Sequence, residues 1–248
     1  MNISGIPKTS FLGKLLRFPL RFIPKDLAVP ILQGKFKGMK WIVGAANHGY
    51  WIGSYEFKKR MIFERTIPAG STVFDLGGFT GYYSLLASAL VGPYGRVFVF
   101  EPLPRNLKYL NQHLALNKIT NVSVIEAAVS DQNGMLCFLE GPSNARGRLA
   151  GEGNLLVRAV SLDEMVKRGE LPDPQYIKLD VEGAEMQVLE GAARLLERCH
   201  PTLFIDTHGE EVHNQCCHFL EGLGYRLEAI DGKTLPESKE IFAVYPYD

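Results

Sequence analysis

The sequence predicts an α/β protein built on a mostly parallel sheet with helices on both faces. Three observations carry that reading. From residue 71 onward, short apolar runs alternate with helical patterns, the rhythm of βαβ units. The runs are apolar throughout rather than alternating with polar residues, as strands buried on both faces are. A glycine-rich turn, Gly77-Gly78-Phe79-Thr80-Gly81, joins the first run to the first helical pattern.

Taken in order, the first 38 residues form a zone of their own, where Pro7, Pro19, Pro24 and Pro30 limit any helix to short pieces. Between Phe11 and Phe22, Lys14, Arg17 and Arg21 fall at helical spacings of three and four and share one face. Residues 54–67 read as a helix with Ser54 as N-cap. Strands are expected at 72–76, 96–100, 122–126, 176–180, 202–206, 225–230 and 241–245, and helices at 80–91, 104–117, 161–168, 184–197 and 210–222. The stretch 134–160 breaks the rhythm and reads as a hairpin whose mobile loop carries Gly141, Gly147, Gly151 and Gly153. The last two strands are separated by a short turn at Asp231-Gly232, too short for a helical crossover, so they should pair antiparallel. The organisation expected is a basic N-terminal extension over 1–53 and a main domain over 54–248.

Composition narrows the class. The chain of 248 residues is 46% apolar and 22% charged, which excludes disordered, collagen-like and disulfide-scaffold proteins. No run of 18 apolar residues is present, and cations interrupt the apolar stretches of the first 30 residues. Cys137, Cys199, Cys216 and Cys217 read as reduced thiols, and the expected location is cytoplasmic. The net charge is 27 − 27 = 0, but residues 1–60 carry eleven Lys/Arg against Asp26 and Glu56, a surplus of +9, and the remainder carries −9. Residues 8–25 interleave cations with Leu and Phe. They either anchor peripherally to an anionic membrane or pack on the acidic body. Aromatic stacking positions are not interleaved with these cations, and the neutral parent chain argues against nucleic acid.

The first turn specifies the ligand. A dinucleotide fingerprint would place its first glycine at position 76, which is Leu. Asp75 sits at the strand end instead, where a carboxylate repels a pyrophosphate and suits a cationic amino-acid group. Glu101 ends the next strand, placed to accept bonds from both ribose hydroxyls. A ribose, no phosphate and a positively charged tail describe S-adenosylmethionine.

The runs VFDLGGFTGYYS, FVFEPLPRN, IKLDVEGAEMQVLEGA and LFIDTHG, within about residues 50–246, resemble the FkbM-type methyltransferases. The family's Ala-Asn pair is here Gly78-Phe79. The resemblance implies a Rossmann-like class I methyltransferase with a seven-stranded, mostly parallel sheet and an antiparallel last strand. It implies O-methylation of a saccharide or other specialised metabolite. The residues expected to bind the cofactor are Asp75, Gly77, Gly78, Gly81, Glu101 and Asp131.

Candidate catalytic residues follow from strand ends. Asp180 and Glu182 follow one strand, where ligands of open parallel sheets bind. Glu185 in the first helical turn also suits the helix dipole. His208, beyond Asp206 at the next strand end, suits proton removal from a hydroxyl. Asp180, Glu182, Asp206 and His208 could alternatively hold Mg²⁺. Lys178 shares a strand face with Asp180 and balances its charge. Tyr50, Trp51, Tyr82 and Tyr83 could supply stacking surface, and Arg146 and Arg148 could close over an anionic acceptor. His213 and Cys217, four apart on a helix, read as core residues rather than metal ligands. The rival readings are an NAD-dependent oxidoreductase and a non-catalytic cofactor-binding subunit.

Overall fold

The computed structural model describes residues 18–140, 147–149 and 155–246. Its strands are β1 (Ala28–Pro30), β2 (Lys40–Ile42), β3 (Thr72–Leu76), β4 (Arg96–Phe100), β5 (Val122–Ile125), β6 (Ala128–Val129), β7 (Gly134–Glu140), β8 (Gly147–Leu149), β9 (Leu155–Val160), β10 (Tyr176–Leu179), β11 (Thr202–Asp206), β12 (Arg226–Ala229) and β13 (Glu240–Val244). Seven of them form one sheet in the order β12-β13-β11-β10-β3-β4-β5. Neighbours run parallel except β13, which is antiparallel to both β11 and β12. The chain steps from β3 outward to β4 and β5, then returns to place β10 on the other side of β3. That reversal opens a crevice beyond the ends of β3 and β10.

Alternation along the strands feeds a core on each face. On one face Phe74, Leu76, Ile177, Leu179, Leu203 and Ile205 pack against Val188, Leu195 and Leu220. On the other, Val73, Val97, Val99 and Phe204 pack against Leu85 and Leu86 and against Phe36, Trp41 and Phe63. Buried residues between Ile31 and Trp51 thus share a core with the sheet. Trp41 stacks on His113 at 4.1 Å, and the Ile42 amide donates to His113 Nε2 at 2.9 Å. His113 Nδ1 lies 2.7 Å from the Thr80 carbonyl, so the ring is neutral with its proton on Nδ1. Burial accordingly pushes its pKa down to about 4.

Four expectations need correction. Ser54 is not an N-cap: Gly49–Ile52 forms its own helical turn, and the next helix begins at Phe57 behind Glu56 in a left-handed conformation. The helix expected at 184–197 is two, Glu185–Glu190 and Ala193–Cys199. Between them the Gly191 carbonyl turns to accept from Ser161 Oγ and the Asp163 amide, both at 2.9 Å. The Asp163 carboxylate then caps the second helix through the Arg194 and Leu195 amides at 3.0 and 2.9 Å. The strands expected to 126 and 180 stop at Ile125 and Leu179. In the hairpin, β7 pairs antiparallel with β9 as expected, within a second sheet of order β6-β9-β7-β8. Gly141, Arg146, Gly151 and Gly153 lie outside the described residues, as does most of the 8–25 segment. Among the described residues no helix is long and apolar enough to cross a membrane.

Candidate active site

The turn after β3 is tied to its neighbours on every side. Gly77 has φ +81°, and a Cβ there would collide with the Asp180 carbonyl, so only glycine lets β3 and β10 close up at the crevice. The Gly77 and Gly78 amides both donate to the Phe100 carbonyl at 2.9 Å. The Phe79 amide donates to Glu101 Oε2 at 2.8 Å. A loop that cradles phosphate keeps such amides free. Here they are spent, which turns the site away from dinucleotides.

Asp75 lies beneath this turn rather than in the crevice. It is buried, accepts from Ser84 Oγ at 2.7 Å and faces Lys178 Nζ at 3.4 Å. Lys178, also buried, donates to the Gly77 carbonyl at 3.0 Å and sits 3.6 Å from Asp180. The balancing role expected of Lys178 is what this geometry gives it.

The cleft above the turn opens to solvent at its mouth and encloses a cavity of about 120 Å³. Gly77, Gly78, Glu101, Asp180 and Glu182 line it. Its apolar side is Phe100, Leu103, Ala127, Ala128, Val129 and Phe138, suited to a flat heterocycle. Glu101 forms the polar edge of that slot. Its Oε1 accepts from the Leu103 amide at 2.9 Å and Asn106 Nδ2 at 3.1 Å. Burial nevertheless pushes its carboxyl up to about 7, against the pull of those donors. Tyr50, Tyr82 and Tyr83 reach the cleft wall, but Trp51 does not and instead donates from Nε1 to His48. Asp131 is exposed, bonded to Ser130 Oγ at 2.8 Å, and lies outside the lining.

Asp180, Glu182 and His208 meet at the cleft edge. His208 Nε2 lies 3.8 Å from Asp180 Oδ1 and 3.5 Å from Glu182 Oε2, while Nδ1 is 2.7 Å from Glu185 Oε1. The Glu185 bond, with Asp180 and Glu182 added, pushes His208 up to about 9 against the opposing effect of burial. The imidazole is therefore cationic at neutral pH before any ligand enters, a departure from the base near neutrality that the sequence suggested. For Asp180, burial is outweighed by Lys178, Lys59 and His208, which hold the carboxyl below its usual range.

Asp206 does not join this group. Its carboxylate takes Lys59 Nζ at 2.7 and 2.6 Å, and Lys59 also pairs with Glu56 at 2.6 Å and Glu240 at 3.3 Å. Glu56, Asp206 and Glu240 have the spacing of a metal site, but the buried Lys59 ammonium is the cation they hold. His213 is likewise satisfied: Nδ1 meets Thr207 Oγ1 at 2.9 Å, and Cys216 beside it is fully buried.

Lys59 and Tyr55 are the residues the sequence reading missed. Tyr55 stacks on Tyr50 with centroids 3.8 Å apart and lines the cleft. Both precede the glycine turn, in a segment where the sequence showed charge but no partner.

The sequence signature described as the methyltransferase FkbM domain matches residues 68–227, well over half of the chain. The chain belongs to the FkbM methyltransferase family. Members are class I S-adenosylmethionine-dependent enzymes, and the cleft has Glu101 beside an apolar slot, Asp180 and Glu182 along its lining, and the Gly77, Gly78 and Phe79 amides already bonded. Among curated proteins, the hexuronic acid methyltransferase AglP of Haloferax volcanii is 31% identical over 127 residues, 50% of this chain and 51% of that one. The protein-L-isoaspartate O-methyltransferase of Aeropyrum pernix is 31% identical over 111 residues, 44% and 41% of the two chains. The chain thus spans about half the length of the curated relatives it matches. Among solved structures, the FkbM methyltransferase of Methylobacillus flagellatus KT superposes with a TM-score of 0.52 at 19% identity, covering 71% of this chain and 43% of that one. The precorrin-6y C5,15-methyltransferase of Geobacter metallireducens GS-15 gives 0.51 at 17% identity, covering 79% and 90%. Both likenesses concern the fold. Tyr50, Tyr55 and Lys59 all lie before the matched FkbM segment.

Proposed function

We propose that this protein transfers a methyl group from S-adenosylmethionine to a hydroxyl of a sugar, with acidic sugars the first candidates. The observation that carries the reading is the meeting of Asp180, Glu182 and His208 at the open edge of a cleft whose other end suits an adenosine. The hexuronic acid methyltransferase AglP supplies the sugar class. A second, more open groove is lined by His208, Lys233 and Lys239 together with Asp206, Asp231 and Glu240; its lysines suit a sugar carboxylate, although Lys233 already pairs with Asp231 at 3.0 Å.

When bound, the cofactor supplies an electrophilic methyl on a cationic sulfur, and the sulfur keeps the bonding electrons as the methyl leaves. This chain's part is to hold the acceptor oxygen in line and to take its proton. The Asp180 and Glu182 carboxyls offset the positive charge that enters the cleft. A second cation beside them competes for the same carboxyls and lowers the hold on the imidazolium, so that Nε2 would release its own proton to solvent and, as the neutral imidazole, take the hydroxyl proton as the oxygen attacks.

Incubation with S-adenosylmethionine and a panel of uronic and neutral sugars, read by mass spectrometry, tests the acceptor class. Methylation of neutral sugars alone, or of none, refutes it. His208→Ala should lower turnover by roughly 10²–10⁴-fold with cofactor affinity unchanged. A second reading rests on the ligand atoms of Asp180, Glu182 and His208, which lie within 4.8 Å of one another. These three could hold Mg²⁺, which would polarise the acceptor oxygen. Dialysis against EDTA followed by Mg²⁺ separates the two: activity lost and then restored favours the ion.

A further inference from the structure

We propose that Glu185 is the positioning residue that sets the distance between His208 and the Asp180–Gly183 turn. This rests on the reading of His208 as the proton acceptor. One oxygen does the work. Glu185 Oε1 accepts from the Gly183 amide at 2.9 Å and meets His208 Nδ1 at 2.7 Å. The first contact belongs to the turn leaving β10 and the second to the turn leaving β11. The two arms that converge at the cleft edge are therefore pinned to a single atom.

The turn needs pinning. Glu182 has φ 57° and Gly183 φ 96°, consecutive left-handed residues, an arrangement costly for a non-glycine residue at 182. On the other arm, His208 is half-exposed, and its Nδ1 contact determines which edge of the ring faces the cleft.

A purely structural role accounts poorly for Glu185. Its side chain is 0% exposed, and its second oxygen, Oε2, is buried without a hydrogen-bond partner. A buried orphan oxygen carries a desolvation penalty. Helix capping through the Gly183 amide would be met equally well by a side chain without that orphan. What the carboxyl adds is the grip on His208, which points the Nε2 edge at Asp180 and Glu182.

The test is a double-mutant cycle in the full chain, using Glu185→Met, Glu185→Gln and His208→Ala with the sugar acceptor and S-adenosylmethionine. Glu185→Met, similar in volume and without an acceptor, should lower kcat about 10–100-fold, the scale seen when an outer partner that orients a histidine is lost. Cofactor affinity should stay within about twofold, since Glu185 does not line the cleft. Glu185→Gln keeps an acceptor oxygen and should recover most of the loss. In the His208→Ala background, Glu185→Met should cost nothing further. A full additive loss there, or unchanged kcat in the single variant, overturns the proposal.

If His208→Ala alone leaves kcat unchanged, the proton-acceptor reading fails while the positioning claim is still decided by NMR. Long-range ¹⁵N–¹H spectra should show a slowly exchanging proton on His208 Nδ1 in the wild type, retained in Glu185→Gln and lost in Glu185→Met. Should Glu185→Met not fold, the wild-type spectrum decides: a ring without a protected Nδ1 proton overturns the claim.

Discussion

As the proposed ribose-binding carboxylate, Glu101 should make cofactor binding depend on pH in a direction that can be worked out beforehand. Its carboxyl is buried at the end of β4 and pushed up to about 7, although three N–H donors already bond it. Ribose hydroxyls donate, so they bond best to the anion, and the binding-competent fraction is the ionised one. With a pKa of about 7 that fraction is about 0.1 at pH 6 and about 0.9 at pH 8, so the apparent Kd should fall about tenfold across the interval. Glu101→Gln removes the titration and the charge-assisted bonds. It should weaken binding at pH 8 by about 1.5–3 kcal/mol and flatten the profile. Calorimetry of S-adenosylhomocysteine at pH 6, 7 and 8, wild type against Glu101→Gln, isolates Glu101 from titration of the ligand's own amino group. Wild-type and variant profiles that run parallel would remove Glu101 from the ribose edge.

Further outcomes are expected elsewhere. Lys59→Met leaves Glu56, Asp206 and Glu240 together without their cation and should cost about 3–5 kcal/mol in urea unfolding; a cost below about 1 kcal/mol would show the cluster relaxing into solvent. Gly77→Ala must place a Cβ against the Asp180 carbonyl at φ +81°, so it should abolish cofactor binding or folding, as circular dichroism and calorimetry would show. Trp41→Ala removes the fully buried ring stacked on His113 and should cost about 3–5 kcal/mol. An unchanged melting temperature in that variant would mean that residues 28–53 are peripheral to the main core.

The sheet was readable because its strands are apolar on both faces and end in residues that strands disfavour: Asp75, Glu101, Asp180 and Asp206 each stand within one residue of a strand end. That regularity also delivered Asp180, Glu182 and His208 to one place. What stayed hidden depends on partners far along the chain. The run Phe57-Lys58-Lys59-Arg60 looks like a solvated face, but Lys59 and Arg60 are buried because Asp206 and Glu64 neutralise them. The +9 surplus of the first 60 residues is thus partly internal to the fold. Glu185 looks like an acid placed for a helix dipole, and only the position of His208, 23 residues later, reveals its second contact. Asp131, expected at the cofactor, instead bonds Ser130 Oγ and lies outside the cleft lining.

The carboxylates around Lys59 also bear on how the chain is made. Asp206 follows Lys59 by 147 residues, and Glu240, on the last strand, follows by 181. At ribosomal speeds of about 5–20 residues per second, the ammonium waits roughly 10–40 s for its full complement of partners. Desolvating it earlier would strand a charge in the interior, so the helix Phe57–Thr66 has reason to remain undocked until β13 slots between β11 and β12. Completion of the sheet and docking of the Phe57–Thr66 helix are then a single event that waits for β13 to be made.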